Sequence, residues 1–255
     1  MSTMQEEGRM HMKALVKVLI FCVILFLSGR CFASFNDESL NAHFEYPGPA
    51  VSERDLPICP PNAVCSVLHN RFWRKTIVKR LCRCLRRIEC PWVWTDNPDN
   101  NTIHLDSRSQ LKFCDEVRDL PECSQRKPAL TVTTTASSGM KDIDLTPAVD
   151  EEKKLSVNVS CFCPISFVWE ELPQRQIIQS PEKGTATVIT HYKCKPMEKC
   201  SSYEFCGNIR ADYFSVYYNC SCPTGHLCLN TDRTLVMVDE LLYDGEAYQA
   251  FCYPQ

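Results

Sequence analysis

Cysteine is the residue type most able to do chemistry in this chain, and its spacing repeats. The pattern C-x-C-x5-C-x23-C occurs twice, and each copy follows a C-x5-C pair. The copies are Cys59, Cys65, Cys82, Cys84, Cys90 and Cys114, and then Cys200, Cys206, Cys220, Cys222, Cys228 and Cys252. Such sulfurs either bind a metal as thiolates or pair as disulfides. A repeated set of intervals predicts two copies of one cross-linked folding unit.

The alternatives to disulfide pairing are disfavoured. Zinc sites favour C-x2-C knuckles and reducing compartments, and the sequence has no C-x2-C. No H-E-x-x-H or nucleophile motif accompanies the histidines, which we expect at the surface. The histidines beyond residue 33 are His43, His69, His104, His191 and His226. We therefore predict no metal, no cofactor and no enzymatic activity.

The N-terminus has the pattern of a secretory signal peptide. Lys13 and Lys17 precede ten uncharged apolar residues, 18–27, and Ala33 ends a small-residue cleavage site. A membrane anchor is the competing interpretation, but the apolar run is too short to span a bilayer. Cleavage after Ala33 removes Cys22 and Cys31, so that eighteen cysteines become sixteen, an even number. We expect a secreted, extracellular protein without membrane insertion or nucleic-acid binding.

The middle of the chain has the spacing of a third, reduced copy. It keeps one leading cysteine, the C-x-C pair and the last cysteine, at Cys123, Cys161, Cys163 and Cys194. It lacks the other leading cysteine and the one that follows C-x-C, where Trp169 stands. Losing both together is simplest if the two were bonded to each other.

That loss makes a prediction about the complete copies. Cys90 should bond Cys59 or Cys65, and Cys228 should bond Cys200 or Cys206. Spacing alone allows 15 connectivities for six cysteines, so the remaining pairs stay open.

Alternating apolar residues predict strands, and no segment has sustained helical periodicity. The predicted strands are 76–78, 101–105, 129–133, 155–159, 213–218 and 234–238. A C-x-C on a strand points both sulfurs to one face, so that each must reach a different partner. The fold class predicted is all-β, small and disulfide-rich, with three consecutive cysteine-stapled β-hairpin modules.

Composition and cysteine positions divide the chain. Residues 1–33 are the signal peptide and 34–58 a mobile lead-in. Module one is 59–122, module two is 123–199 with an exposed loop at 133–154, and module three is 200–255. Asn100, Asn158 and Asn219 begin Asn-x-Ser/Thr sequons, which fit glycosylation on the secretory route.

Charge is distributed unevenly between the end modules. Eight basic residues and no acidic residue lie within 71–87, namely Arg71, Arg74, Lys75, Lys79, Arg80, Arg83, Arg86 and Arg87. They predict either a contact for heparan sulfate or an acidic partner, or a solvated strand pair. Module three has two basic and seven acidic residues. Opposite charge at the two ends suits a clamp around a ligand, and Trp92, Trp94 and Trp169 are either interface anchors or core.

Several motifs resemble the giant-lens (Argos) proteins of arthropods. They are Leu81-Cys-Arg-Cys84, Glu89-Cys-Pro91, Leu111-Lys-Phe-Cys114, Leu120-Pro-Glu-Cys123, Val159-Ser-Cys-Phe-Cys-Pro164 and Asn219-Cys-Ser-Cys-Pro-Thr-Gly-His-Leu-Cys228. The resemblance covers about 59–252. It implies a secreted antagonist of epidermal growth factor receptor signalling, with three β domains that are three-finger-like and clamp an EGF-like ligand. It assigns no ligand-contact residue here.

Two function classes follow. The first is an antagonist that sequesters an EGF-like growth factor between its end modules and prevents receptor activation. The alternative is a venom or salivary toxin-like effector acting on a channel or receptor, because centipede scoloptoxins have a similar cysteine layout. A third hypothesis, a matrix protein that is held by heparan sulfate, is supported by the basic run alone.

Overall fold

The computed structural model describes residues 42–255 except 72–73, 98, 125–126, 138–152, 165 and 181–184. The predicted signal peptide and residues 34–41 lie outside the described residues. The described chain contains seventeen β-strands and one 3-10 turn, Glu53–Asp55, but no α-helix. None of its described segments is a helix with the length and apolarity needed to cross a membrane. The predicted fold class, all-β and disulfide-rich, is confirmed.

The first sheet is built mainly from module one. Its strands are β1 (Ala42–Glu45), β2 (Val64–His69), β3 (Thr76–Arg80), β4 (Thr102–His104) and β5 (Ser109–Phe113), in the order β1-β3-β2-β5-β4. Only the β1–β3 pair is parallel among these four pairings. Strands β2 and β5 are buried along their whole length, because other elements cover both faces of the sheet centre.

The second sheet belongs to module two. Its strands are β6 (Leu130–Ser137), β7 (Lys153–Val159), β8 (Phe167–Glu171), β9 (Gln176–Ser180) and β10 (Thr185–Pro196). The order is β7-β6-β10-β8, and β9 pairs with the first half of β10 on the same side as β8. The twelve-residue β10 therefore organises the sheet.

The third sheet lies in module three. Its strands are β12 (Phe205–Arg210), β13 (Val216–Tyr218), β15 (His226–Leu229), β16 (Leu235–Glu240) and β17 (Tyr243–Pro254). Strand β17 pairs with β12 on one side and with β15 and β16 on the other. A small parallel pair of β11 (Glu198–Lys199) and β14 (Cys220–Ser221) joins the end of module two to module three.

All sixteen cysteines in the described chain are paired, each within one module. Module one contains Cys59–Cys82, Cys65–Cys90 and Cys84–Cys114. Module three repeats the same order with Cys200–Cys220, Cys206–Cys228 and Cys222–Cys252. Module two has Cys123–Cys161 and Cys163–Cys194, the counterparts of the first and last of these pairs. As the sequence predicted, the bond that module two lacks joins a leading cysteine to the cysteine after C-x-C, and the structure identifies that leading cysteine as the second one.

A single apolar core joins the modules. It contains Val67 and Leu111 from module one, Leu130 and Val157 from module two, and Leu241 from module three. Each module also has its own smaller cluster built on disulfide sulfurs. Because small modules bury too little apolar surface alone, sharing one core stabilises them together.

The segment predicted to be a mobile lead-in is ordered over 42–58. Strand β1 pairs with β3, and Leu56 is only 3% exposed. Glu53 forms an ion pair with Arg80, with 2.8 Å between Oε1 and Nη2. The polar, proline-rich composition of this segment indicated mobility. A strand can nevertheless pair with the edge of a sheet through its backbone without an apolar run, as β1 does with β3.

The loop predicted at 133–154 is shorter. Residues 133–137 continue β6, residues 153–154 begin β7, and the two strands pair from Leu130↔Val159 to Ala136↔Lys153. Threonines favour strands because β-branched side chains fit a pleated surface, so the Ser/Thr-rich stretch extends the hairpin. Residues 138–152 lie outside the described residues.

Candidate functional site

An exposed apolar surface covers one face of the module-three sheet. Cross-strand pairing places Leu227 opposite Tyr253, and Leu229 opposite Phe251, which also pairs with Phe205. Because paired residues share a sheet face, these side chains lie together on one side. We call this surface the module-three patch; it consists of Tyr203, Phe205, Leu227, Leu229, Phe251 and Tyr253.

The patch is accessible and its aromatic rings are ordered against each other. Tyr203 is 63% exposed, and Leu227 and Leu229 are each 44% exposed. The rings of Tyr203 and Tyr253 meet edge to face at 5.7 Å, and those of Phe205 and Phe251 do so at 5.8 Å. Exposed aromatic side chains held in fixed orientations are typical of interface hot spots.

Local backbone features place the aromatic side chains on this face. A β-bulge lies between Phe205 and Gly207. Gly207 has φ +155, and a Cβ there would lie 2.2 Å from the Tyr217 carbonyl oxygen, so no larger residue fits. Tyr203 has φ +63, and its N–H donates to the Cys252 carbonyl at 2.8 Å. The bulge and this hydrogen bond fix the position of the chain where the pairing of β12 with β17 ends.

The disulfide core lies behind the patch. Cys228 and Cys252 alternate with the patch residues on β15 and β17 and therefore point to the opposite face. The two cross-links Cys206–Cys228 and Cys222–Cys252 hold these strands to the rest of the module. The patch is consequently presented by a rigid, cross-linked support, which lowers the entropy lost on binding.

Module three, which carries the patch, has an excess of acidic residues. All of module three is described, and its only basic side chains are Arg210 and Arg233. Arg210 is 1% exposed and is bonded to Asp212, leaving Arg233 as the one exposed basic residue of this module. A partner surface that combines apolar and basic side chains would complement it.

Module one has a cleft beside the Cys84–Cys114 disulfide. Its volume is about 290 Å³, and Phe113 and Val117 form part of its apolar lining. Leu85 and Ile88 stand at its edge, 54% and 48% exposed. Arg86 lines it as well, with Asp115 and Glu116 among the other lining residues. Because both basic and acidic side chains line the cleft, it favours neither an anionic nor a cationic ligand.

The loop at the edge of the cleft has an unusual backbone. Arg86 and Arg87 have φ of +57 and +60, a conformation that costs residues with a side chain roughly 1–2 kcal/mol each. Leu85 and Ile88 flank them and remain exposed. The Ile88 N–H donates to the Leu85 carbonyl at 3.1 Å, so Arg86 and Arg87 are the two central residues of a tight turn that requires positive φ at both positions.

The predicted basic run does not form one patch. Arg71, Arg74 and Lys75 lie at the β2–β3 turn, whereas Arg83, Arg86 and Arg87 follow the other end of β3. Lys75 and Leu81 are six positions apart, which is about 20 Å along a strand. The run therefore divides into a turn cluster and a loop cluster.

Two members of the basic run lie between these clusters. Lys79 is partly exposed and lies 4.0 Å from Glu45. Arg80 is 2% exposed, donates from Nη1 to the Cys90 carbonyl at 2.9 Å and lies over the Phe44 ring. Burial lowers the pKa of Arg80, and Glu53 opposes that effect. Arg80 stabilises the fold and is inaccessible to a polyanion.

The two end modules touch directly. His69 of module one stacks on Tyr213 of module three, and its Nδ1 lies 3.0 Å from Ser109 Oγ. Arg210 lies over the rings of Tyr213 and Tyr243 at 4.4 and 3.9 Å. A ligand held by both end modules must therefore lie beside this contact, because the contact itself is closed.

Burial determines the protonation of this contact. Burial, with the nearby cations Arg210 and Lys79, holds the pKa of His69 well below its usual value. Burial also raises the pKa of Tyr213 to about 12. Burial lowers the pKa of Arg210, but the interactions of its guanidinium with Asp212 and Tyr217 together outweigh burial and leave the pKa raised. His69, expected at the surface, is instead a neutral buried residue between modules.

The other predicted site residues are spread over the molecule. The sequon asparagines Asn158 and Asn219 are exposed, and Asn100 is half-buried in a turn. Trp92 and Trp94 are half-buried and donate to Glu89 and Asp96. Trp169, in the place of the missing cysteine, packs against the shared core.

The close groups of cysteine sulfurs are disulfides. Each group of three sulfurs within 4.8 Å, such as Cys59, Cys84 and Cys114, contains cysteines that are already bonded. A metal is bound by thiolates, and a disulfide offers none. The described cysteines therefore do not fit a metal centre.

The module-three patch was missed in the sequence, although a signal for it exists. Leu227-Cys-Leu229 and Phe251-Cys-Tyr253 have the same form, with apolar residues on both sides of a cysteine. On a strand, the cysteine points to the disulfide core and its two neighbours point the other way. Apolar residues that flank a bridged cysteine therefore predict a second, exposed apolar face.

Known proteins resemble this chain at low identity. No family model matches it. It is 25% identical over 177 residues to kappa-scoloptoxin(11)-Ssd1b of Scolopendra dehaani, covering 68% of this chain and 73% of the relative. It is 25% identical over 221 residues to U-scoloptoxin(11)-Sm7a of Scolopendra morsitans, covering 82% and 88%.

One solved structure matches as well. Unliganded Argos matches with a TM-score of 0.49 and 24% identity, over 84% of this chain and 99% of that chain. The cysteine order in the sequence predicted similarity to Argos and to the scoloptoxins, and both similarities are confirmed. Eight disulfides in the described chain also fit an extracellular protein.

Proposed function

We propose that the protein is a secreted antagonist that binds an EGF-like growth factor and keeps it from its receptor. The observation that carries the proposal is the module-three patch, six apolar or aromatic residues held on one face of a cross-linked sheet. The ligand class comes from the resemblance of the cysteine motifs to the giant-lens proteins. The patch supplies what such an antagonist needs, a preformed surface that loses little entropy on binding.

The module-one cleft is the second contact. Leu85 and Ile88 lie near the strained residues Arg86 and Arg87 and would receive an apolar side chain of the same ligand. Because His69 and Tyr213 close the direct contact between the end modules, the ligand would span them along their outer surfaces. Two separated contacts on one rigid support strengthen binding without further ordering.

Patch variants test where the ligand binds. Leu227→Asp with Leu229→Asp puts two charges on the patch and should weaken binding at least tenfold, about 1.4 kcal/mol. The matched control is Leu235→Asp with Met237→Asp. These residues are 41% and 70% exposed on β16, where Leu235 pairs with Tyr248 on the opposite sheet face. The control should retain binding within about twofold.

Receptor activation is the functional readout. Cells that carry the receptor are treated with the growth factor and increasing amounts of the secreted protein, and receptor phosphorylation is measured. Sequestration predicts stoichiometric inhibition that excess growth factor overcomes. Inhibition that excess growth factor fails to overcome would contradict sequestration. If the patch variant inhibits as strongly as the wild type, the growth factor does not bind at the module-three patch.

A toxin-like effector is the second candidate. It is favoured by the two Scolopendra relatives, which are named as toxins and match 68% and 82% of this chain. Expression separates the two functions, because an antagonist should be transcribed in developing tissue and a toxin in a venom or salivary gland. Transcripts confined to such a gland would favour the toxin.

A further inference from the structure

Sulfur atoms of two different disulfides meet beside the module-one cleft. The Sγ atoms of Cys59, Cys84 and Cys114 lie within 4.8 Å of one another, although Cys59 is bonded to Cys82 and Cys84 is bonded to Cys114. Cys59 and Cys114 line the cleft and are partly exposed, whereas Cys84 is 7% exposed. A small molecule in the cleft therefore meets one sulfur of each bond, while Cys84 stays shielded.

The backbone places Cys59 between the two cysteines of the C-x-C pair. Ile58 pairs with Arg83 in a parallel bridge, and the Cys59 N–H donates to the Arg83 carbonyl at 3.0 Å. Because Cys82 and Cys84 flank Arg83, their side chains lie on the face that also carries Cys59. The parallel register sets Cys59 beside Cys84, yet its disulfide is to Cys82. Cys59 is thus positioned to bond either cysteine with little movement of the backbone.

We propose that the module-one cleft is a thiol–disulfide exchange site for low-molecular-weight thiols. The thiolate of the small molecule attacks Cys114 Sγ, forms a mixed disulfide there and releases Cys84 as a thiolate. Cys84 then attacks Cys59 Sγ, forms a Cys59–Cys84 bond and releases Cys82 as a thiolate. One S–S bond breaks and one forms in each exchange, so no oxidant or further reductant is needed. The proton that the small thiol loses is regained by Cys82.

Module three has the same backbone arrangement but different access. The Cys200 N–H donates to the Ser221 carbonyl at 3.0 Å, and the sulfurs of Cys200, Cys222 and Cys252 form another group within 4.8 Å. Cys252, the counterpart of Cys114, is however 0% exposed. The attack that releases the inner sulfur of module one is therefore blocked in module three.

Module two differs in its sulfur positions. Its Cys123 N–H donates to the Phe162 carbonyl at 2.9 Å, as the leading cysteines of the other modules do to their counterparts of Phe162. Among the described residues, however, no group of three close sulfurs includes a cysteine of module two. Modules two and three therefore serve as internal controls within the same molecule.

The exchange closes the cleft to other ligands. A mixed disulfide on Cys114 puts the small thiol in the space lined by Leu85 and Val117, so another ligand can enter only after the thiol has left. The steps run backwards when the small thiol is removed, because Cys82 can attack Cys59 again. This chemistry does not require the growth factor, so it can be measured whether or not the growth factor binds.

Reduced glutathione tests this site on the full secreted protein at about pH 8, where an ordinary thiol is partly ionised. The reaction is stopped with acid, free thiols are alkylated, and peptides are mapped by mass without reduction. Trypsin cuts after Arg83, which separates Cys82 from Cys84 and distinguishes the possible products. We expect glutathione on Cys114, an alkylated Cys82 and a Cys59–Cys84 bond. These should form at least about tenfold faster than any adduct in modules two and three, because access controls the rate.

Two double variants separate the steps. Cys65→Ala with Cys90→Ala removes the other disulfide whose sulfurs lie within 4.8 Å of Cys84, and should give the same products at the same rate. Cys59→Ala with Cys82→Ala removes the target of the second exchange, so the alkylated residue should then be Cys84. Mapping of the wild type needs neither variant and decides the matter if one of them does not fold.

The wild-type map contains the outcomes that would overturn the proposal. Glutathione on Cys114 with an alkylated Cys84 and an intact Cys59–Cys82 bond would overturn the second exchange. A first adduct in module two or three would overturn the cleft as the point of entry. Absence of any adduct at glutathione concentrations that leave the protein folded would overturn the proposal as a whole.

Discussion

His69 and Tyr213 stack with ring centroids 4.8 Å apart and an interplanar angle of 24°, which joins the first module to the third. They are 144 residues apart in the sequence. Arg71 and Arg210 lie near the faces of the same tyrosine at 5.8 and 4.4 Å. Protonating His69 would add a third cation to this closed contact, so the contact should depend on pH.

Stability should fall with acidification because of His69. Its pKa is lowered from 6.5 in the folded protein, so well above pH 6.5 the imidazole is neutral in both states and contributes no pH dependence. Below about pH 6.5 the unfolded chain binds a proton that the folded chain does not, and the free energy of unfolding falls. The slope from this site is at most about 1.4 kcal/mol per pH unit.

Urea unfolding of the wild type and His69→Gln between about pH 7 and 5 measures this slope. The glutamine variant should be less stable at pH 7 but should lose less stability on acidification. Other groups titrate in both proteins and cancel in the comparison. Equal slopes for the two proteins would show that His69 is not the group responsible.

Replacing Arg80 should destabilise the fold without affecting polyanion binding. Arg80→Met removes the donor to the Cys90 carbonyl and the ion pair with Glu53, and should cost about 1–3 kcal/mol because Glu53 is partly solvated. Heparin retention of the folded variant should equal that of the wild type. Loss of heparin retention without loss of stability would contradict the buried position of Arg80.

Cys65–Cys90 should be the dispensable cross-link of module one, because module two folds without its counterpart. Cys65→Ala with Cys90→Ala should still fold, and should lose about 3.5 kcal/mol by the chain-entropy estimate for a loop of this length. Urea unfolding measures the loss, and non-reducing mass analysis should show sixteen cysteines bridged in the wild type and fourteen in the variant. Scrambled pairing in the variant would mean that this bond also directs folding.

Heparin retention should depend on the two cationic clusters. Although residues 34–255 have a net charge of about −5, the loop cluster should retain the protein on heparin, with a steep dependence on salt. Arg83→Ser, Arg86→Ser and Arg87→Ser together should lower the eluting salt concentration. Arg74→Ser with Lys75→Ser tests the turn cluster separately. Elution unchanged by the triple replacement would identify the loop cluster as an ordinary solvated surface.

Local patterns predicted six of the seventeen strands in the described chain, although the one predicted at 213–218 begins only at Val216, and cysteine spacing predicted one bridge of each complete module. The reduced copy indicated that Cys90 pairs with Cys59 or Cys65, and the structure pairs it with Cys65. Cysteine spacing could not choose between Cys59 and Cys65, because the choice depends on which of the two lies near the far end of β3. The pairing of strands in the folded sheet determines that position.

Contacts between modules could not be predicted from the sequence. Arg80 looked like one of eight equivalent cations, and His69 like an isolated surface histidine. Their burial depends on β1 and the 3-10 turn reaching Arg80, and on Tyr213 covering His69. The residues that cover Arg80 and His69 are distant from them in the sequence, so no local periodicity indicates these contacts.

We propose above all that this chain binds an EGF-like growth factor. Isothermal titration calorimetry of the purified secreted protein with the EGF-like domains of the same animal's receptor ligands tests it most directly. We predict that at least one domain binds with a dissociation constant below about 1 μM, at one ligand per chain. Absence of binding below micromolar concentration for every such domain would contradict the account.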